Sequence, residues 1–191
     1  WGVCMTAREG RQAQGAGTPV PRPASSVPAA GLPDYAELRC VSTFSFLVGA
    51  SQPEELVERA HKQGYRALAL TDECSIAGVV RAHVAAKKIG LKLLIGSQFS
   101  VAVPEPSGSD APGPFSLGVL ACNLNGYGNL CEFITKLRRA SEKGTYHLDL
   151  GDIASDELAD CVVVASPVRG STDAQLVGLA RWLLTHFTGR C

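Results

Sequence analysis

The stretch 64–78, GYRALALTDECSIAG, constrains this chain most. Residues 67–70 form a short, continuously apolar run, the mark of a strand buried on both faces. Thr71-Asp72-Glu73 follows at its carboxyl end, and a helical pattern opens a few residues later. In α/β folds, chemistry sits in loops beyond the carboxyl ends of parallel strands, so two adjacent carboxylates there are a candidate site. The competing reading is a solvated turn whose Asp caps the next helix. Asp and Glu are ordinary loop residues, and spacing alone favours the turn.

The flanking segments extend the pattern. Leu38 and Cys40, with Val41 at the limit, suggest a first strand, and Ser42, Thr43 and Ser45 form a polar loop edge. Ser51 and Glu54 read as a capping box with Pro53 in the first turn, followed by the stripe Leu56, Val57 and Ala60, and Gly64 fits the C′ position. Residues 76–89 predict a second helix with Val79, Ala82, Ala86 and Ile89 on one face, Arg81 and Lys88 roughly opposite, and His83 on the flank as a packed or partly buried side chain. Gly90 ends it, and residues 92–95 predict a strand running into Gly96-Ser97-Gln98.

Residues 104–114 read as a Pro/Gly/Ser loop and 117–122 as a strand. Gly126-Tyr127-Gly128 reads as a turn, with Asn129 and Glu132 as an N-cap pair before the helical spacing of Leu130, Phe133, Ile134 and Leu137. Lys136, Arg138, Arg139 and Lys143 form the densest basic cluster; a solvated helix end explains it better than a DNA-facing patch. Residues 161–165 predict a strand, and Leu176, Ala180, Leu183 and Phe187 a last helix. Strands and helices alternate, which implies a parallel α/β sheet or barrel.

Composition excludes several classes. The 191 residues are 46% apolar and 19% charged, with a formal net charge of zero. A chain of that kind builds one globular domain, and its neutrality argues against a surface made mainly to grip nucleic acid or an acidic membrane. No apolar run approaches bilayer length, and no signal peptide is visible. Residues 1–33 are rich in Gly, Ala, Pro, Ser and Gln and are expected to be a disordered leader. The chain starts with Trp rather than Met, so the expectation is a piece of a longer reading frame. The seven cysteines include no C-x-x-C and imply a reducing cytoplasm, with neither a disulfide framework nor a zinc cluster. There is no internal repeat, no P-loop and no G-x-G-x-x-G after a strand, and His61, His83, His147 and His186 are scattered.

Several segments together resemble one family. YAELRCVSTFSFLVGAS, PEELVERAHKQGYRALALTDECSIAGVVRAHVAAK, GLKLLIGSQF and NLNGYGNLCEFITKLRRASEKGTYHL occur in the order of the N-terminal PHP (polymerase and histidinol phosphatase) domain of bacterial C-family DNA polymerases. The TDEC variant, RAHVAAK and GYGNL…ITKLRR look most like the error-prone, damage-inducible branch. The likeness runs from about Asp34 to the end, so 34–191 is expected to be the domain.

The resemblance implies an α/β PHP-type (β/α)7 barrel, incomplete at its C-terminus, whose active members hold up to three metal ions at the strand ends and hydrolyse phosphate esters. Clustered His and carboxylates do that work by activating water and neutralising phosphate charge. Carried over, the family's H-x-H falls on Arg39 and Val41, the His of its T-D-H on Glu73, and its acidic residue after the third strand on Gln98; only Asp72 keeps its type. Val41 cannot ligate a metal and Arg39 places a fixed cation where an ion would sit. No metal cofactor is therefore expected, Asp72 and Glu73 being the remaining weak candidates, and Arg39 and Asp72 are expected to form an ion pair in its stead.

The resemblance further implies a polymerase core, absent from these residues, whose aspartates hold Mg²⁺ for nucleotidyl transfer. Its partners would be that core, DNA through the parent enzyme, and accessory replication or mutagenesis proteins. The fragment alone would carry no catalytic residue. Two other functions compete: a stand-alone PHP-class phosphoesterase, and a detached protein-interaction module.

Overall fold

The computed structural model describes residues 35–103 and 111–191. The leader expected over residues 1–33, and residues 104–110 of the expected loop, lie outside them. The elements are β1 (Ala36–Cys40), α1 (Pro53–Lys62), β2 (Ala67–Glu73), α2 (Val79–Ile89), β3 (Lys92–Val101), β4 (Phe115–Ala121), α3 (Leu124–Ala140), a 3-10 turn (Leu150–Asp152), β5 (Cys161–Pro167) and α4 (Asp173–His186).

The five strands form one sheet in sequential order. β1, β2 and β3 are parallel, joined by the crossover helices α1 and α2. β4 runs antiparallel to β3, and β5 antiparallel to β4. The sheet is thus mixed, not parallel throughout as alternation suggested. No helix separates β3 from β4 among the described residues, and antiparallel strands need no crossover. After β4, helix α3 carries the chain away and residues 141–160 bring it back to where β4 ended: Ala121 pairs with Cys161, and the Cys122 amide donates to Asp160 O at 3.0 Å. Curling of this five-stranded sheet gives a half-barrel, as an incomplete (β/α) barrel requires.

One sheet face carries the helices. The register aligns Leu68 with Leu93 and Leu70 with Ile95, and these pack under Val57 and Ala60 of α1 and Val79, Ala82 and Ala86 of α2. Further across, Phe99, Leu117, Val119 and Val163 pack under Leu130, Phe133 and Leu137 of α3 and Leu179 of α4. Such burial of whole aliphatic and aromatic side chains is worth roughly 1.5–3 kcal/mol each. The other face bears the alternate residues, among them Thr71, Glu73, Gln98 and Ser116, and on β5 its Val162 and Val164 are exposed. No helix among the described residues is long and apolar enough to cross a membrane.

Several element ends differ from the sequence reading. The cap of α1 is Gln52, whose amide donates to Glu55 Oε2 at 2.9 Å; Ser51 instead uses its carbonyl to accept from the Thr43 amide. α2 begins at Val79 rather than Ile76, and Ile76 fills space beside both apolar clusters. His83 is exposed. Gly126-Tyr127-Gly128 is not a turn but the first part of α3, capped by Asn123, which accepts from the Gly126 amide at 2.9 Å. Asn129 reaches Ala159 O. Glycine was misleading there because its role is proximity: a Cβ on Gly126 would stand 2.1 Å from Asp160 O. In α4 Gly178 and Leu179 are buried; of the four residues that marked the helix, Leu183 packs against the core and Phe187, just past its end, is buried, while Leu176 and Ala180 are exposed. Gly64 and Gly90 close α1 and α2 in left-handed geometry, as their positions implied.

Candidate functional site

The carboxyl ends of β1, β2 and β3 meet at one edge of the sheet, as parallel strands require. Here β1 delivers Arg39, β2 delivers Asp72 and Glu73, and β3 delivers Gln98 and Ser100. β4, running the other way, begins at the same edge and adds Ser116 opposite Ser100. Successive strand residues point to opposite faces. Asp72 and Glu73 therefore part company: Asp72 pairs in register with Ser97 on the helix-covered face, Glu73 with Gln98 on the other.

Asp72 is 1% exposed and buried among hydroxyls. Its Oδ1 accepts the Ser42 amide and the Ser45 hydroxyl, each at 2.7 Å, and its Oδ2 accepts the Ser42 hydroxyl at 2.7 Å. The Ser45 Oγ in turn accepts the Glu73 amide at 2.9 Å, and the Ser97 hydroxyl donates to the Asp72 carbonyl at 2.7 Å. Asp72 is thus neither solvated nor a helix cap; the residue before α2 is Gly78, with no side-chain cap, and a Cβ there would lie 3.2 Å from Asp72 Oδ2.

Glu73 organises the second network. Its Oε2 accepts Gln98 Nε2 at 2.9 Å. Its Oε1 accepts the Tyr146 hydroxyl, the Ser100 hydroxyl at 3.0 Å and the Ser100 amide at 3.1 Å. Gln98 Oε1 accepts Arg39 Nε at 2.9 Å, and Arg39 Nη2 donates to Ser116 Oγ at 3.0 Å. A chain of hydrogen bonds thus runs from Arg39 through Gln98 and Glu73 to Tyr146. Burial, and then the bond to Glu73, hold the Tyr146 hydroxyl well above the ordinary tyrosine pKa. Arg138 braces this arrangement: its guanidinium donates to the Cys74 carbonyl at 3.2 Å and lies 5.5 Å from the centre of the Tyr146 ring.

The expected Arg39–Asp72 ion pair does not form: β1 shifts register between Glu37 and Cys40, Arg39 lies on the face of Gln98 and Ser116, and the Asp72 oxygens are taken by Ser42 and Ser45. Val41 is partly buried just before that serine pair. Arg138 also departs from the solvated helix end: it is clamped to backbone carbonyls, and Lys136 pairs with Glu157 at 2.6 Å, while Arg139 and Lys143 are exposed. Ser42, Ser45, Ser100, Ser116 and Tyr146 were missed as site residues. A row of serines facing an Asp at a strand end was a faint signal for the first two; nothing in the sequence pointed to Tyr146, 73 positions from Glu73.

A PHP-type metal cluster does not fit these side chains. Both carboxylates have their oxygens engaged by protein donors, and a guanidinium sits on the remaining polar position. Among the described residues no group of three or more His, Cys, Asp or Glu has metal-site spacing. The six described cysteines are unpaired.

Fold and site together define an α/β half-barrel whose strand-end site is built from hydrogen-bonded polar side chains. The PHP domain family model matches residues 37–174, and the chain belongs to that family. It is 50% identical over 170 residues to an error-prone DNA polymerase of Ralstonia nicotianae, covering 84% of this chain and 15% of the relative. It is 58% identical over 159 residues to an error-prone DNA polymerase of Burkholderia mallei, covering 76% and 15%. The chain therefore spans about 15% of the length of the curated relatives it matches. A solved amidohydrolase from Chromobacterium violaceum is 20% identical with a TM-score of 0.42, over 78% of this chain and 49% of that one, too distant to carry a functional inference.

Proposed function

We propose that this chain is the N-terminal PHP domain of an error-prone DNA polymerase acting in DNA replication and damage-tolerant (translesion) synthesis in the cytoplasm, and that the domain is a metal-free structural unit packed on the polymerase core. The observation that supports it best is the Arg39–Gln98–Glu73–Tyr146 chain, in which a fixed cation and neutral donors stand at positions where an active member needs metal ligands. Similarity to error-prone polymerases over most of the chain supports the parent assignment. Nucleotidyl transfer would then belong to aspartates and Mg²⁺ of the core, and DNA contact to the parent enzyme.

Two measurements on the purified protein test this. Elemental analysis should find no stoichiometric Mn, Zn or Fe, and a generic phosphomonoester with added Mn²⁺ should not turn over. Turnover abolished by Asp72→Ala, in a variant whose circular dichroism remains that of the folded protein, would favour a phosphoesterase instead. Primer extension by the parent protein, absent from this chain alone, is the matching expectation for the polymerase.

A further inference from the structure

The loop between β1 and α1 carries three consecutive apolar side chains into solvent. Phe46, Leu47 and Val48 are 88%, 103% and 67% exposed. Leu47 holds a φ of 61°, a left-handed conformation that bulky residues rarely adopt. Strained backbone of this sort persists only where its surroundings over-determine it, and it clusters at ligand clamps and switch regions.

The base of this loop is over-determined. The Ser45 amide donates to Ser42 O at 2.9 Å, and the Val48 and Gly49 amides both donate to Ser45 O, at 3.1 and 3.0 Å. The side chains of the same two serines are anchored on buried Asp72. Gly49 lets the loop close on itself, since a Cβ there would lie 1.9 Å from Ser42 O. The tip therefore stands on the one position of the eroded site that keeps its residue type.

An isolated domain gains nothing from holding a phenylalanine, a leucine and a valine in water; exposed apolar clusters mark contact surfaces. Residues 40–53 contain no Asp, Glu, Lys or Arg, so the surface suits an apolar recess and offers nothing to a phosphate backbone. In the relatives, about 85% of the polypeptide lies outside the part this chain matches, which supplies the covering mass.

We propose that Phe46-Leu47-Val48 is a preformed docking tip that seats in an apolar recess of the polymerase portion of the same polypeptide. The assignment rests on the reading of this chain as the N-terminal domain of that polymerase. The preformed scaffold lowers the ordering entropy that docking would otherwise cost.

The test places a photoreactive benzoylphenylalanine at Leu47 of the full-length parent protein, with parallel probes at Val84 on α2 and Val164 on β5. Crosslinked peptides are identified by mass spectrometry. The expected result is an intramolecular crosslink from position 47 to a residue beyond 191, whose yield falls severalfold when Phe46→Ser and Val48→Ser are introduced. No crosslink from position 47, or one only to a second copy or to another protein, overturns the proposal. If position 47 is silent while Val84 or Val164 reaches the polymerase portion, the docking assignment alone falls. If all three are silent, the packing of this domain on the polymerase core falls with it.

Discussion

Asp72 and Ser42 meet twice: the serine amide donates to one carboxylate oxygen and the serine hydroxyl to the other, both at 2.7 Å. With the Ser45 hydroxyl as third donor, the carboxylate ties the β1–α1 loop to the end of β2. Two segments 30 residues apart are joined at a point sealed from solvent.

Asp72→Ala leaves those donors without their acceptor, and buried donors so stranded cost on the order of 1–3 kcal/mol each. The variant should unfold at a clearly lower urea midpoint, by roughly 3 kcal/mol in total. Ser45→Ala removes two bonds, the one to the Asp72 carboxylate and the one from the Glu73 amide, and should cost about 1–3 kcal/mol. Its signature is local: the amides of Val48 and Gly49 should exchange with deuterium faster, while those of β3 stay unchanged. An unchanged exchange rate in the loop would show that Asp72 does not hold it.

Restoring ligand types should restore metal binding if erosion of the site is what prevents it. Arg39→His, Val41→His, Glu73→His and Gln98→Glu combined return imidazole and carboxylate to the four changed positions and remove the guanidinium. The quadruple variant should retain Mn²⁺ or Zn²⁺ after gel filtration where the wild-type protein does not. Equal metal content in the two would count against the reading of the site.

Gly126→Ala drives a methyl toward the Asp160 carbonyl, which the backbone around Asp160, at φ 58°, has little freedom to relieve. Over-packing of this kind costs about 1–3 kcal/mol. Chemical denaturation should report a loss in that range. Gly128→Ala in the same helix meets nothing within 4 Å and should be neutral or stabilising, since Ala is the better helix former.

Alkaline pH should destabilise the fold. Burial, chiefly, pushes the thiols of Cys40, Cys74 and Cys161 from 9.0 up to about 11. The folded state then holds protons that the unfolded chain releases, so their contribution is complete below pH 9.0 and is lost as pH rises toward about 11. Tyr146, raised above 10.0 by burial and by Glu73, adds to the loss above that value. Melting temperatures under reducing conditions should stay level from neutral pH to about pH 9 and fall beyond it. Cys161→Ala should make the alkaline fall shallower.

Much of the architecture was legible in the chain because it is set by neighbours. The apolar run 67–70 marks β2, Gly64 and Gly90 end their helices, and the stripe Val57 and Ala60 is buried. Element type depends on periodicity and punctuation within a few residues, and those are local properties. The family order of the segments likewise led to the PHP assignment, matched over residues 37–174. Where a glycine or an apolar residue served a distant contact, local reading failed. Gly126 looked like a turn because Asp160 was not in view, and the packing of Trp182 of α4 against Phe115 could not be read from the helix alone.

The local pattern was enough to place residues 71–73 at the end of a buried strand, and the family resemblance set Arg39, Val41, Glu73 and Gln98 against the family's ligand positions as an expectation. Only the tertiary structure decided what those residues do. Two adjacent carboxylates must point to opposite faces of a strand, but which partners await each depends on sheet register with segments 25 to 73 residues away. Register sends Asp72 to the serines of the β1–α1 loop and Glu73 to Gln98 and Tyr146. Arg39, one strand away, meets the second set and not the first, because β1 shifts register between Glu37 and Cys40 and this puts Arg39 on the face of Gln98 and Ser116.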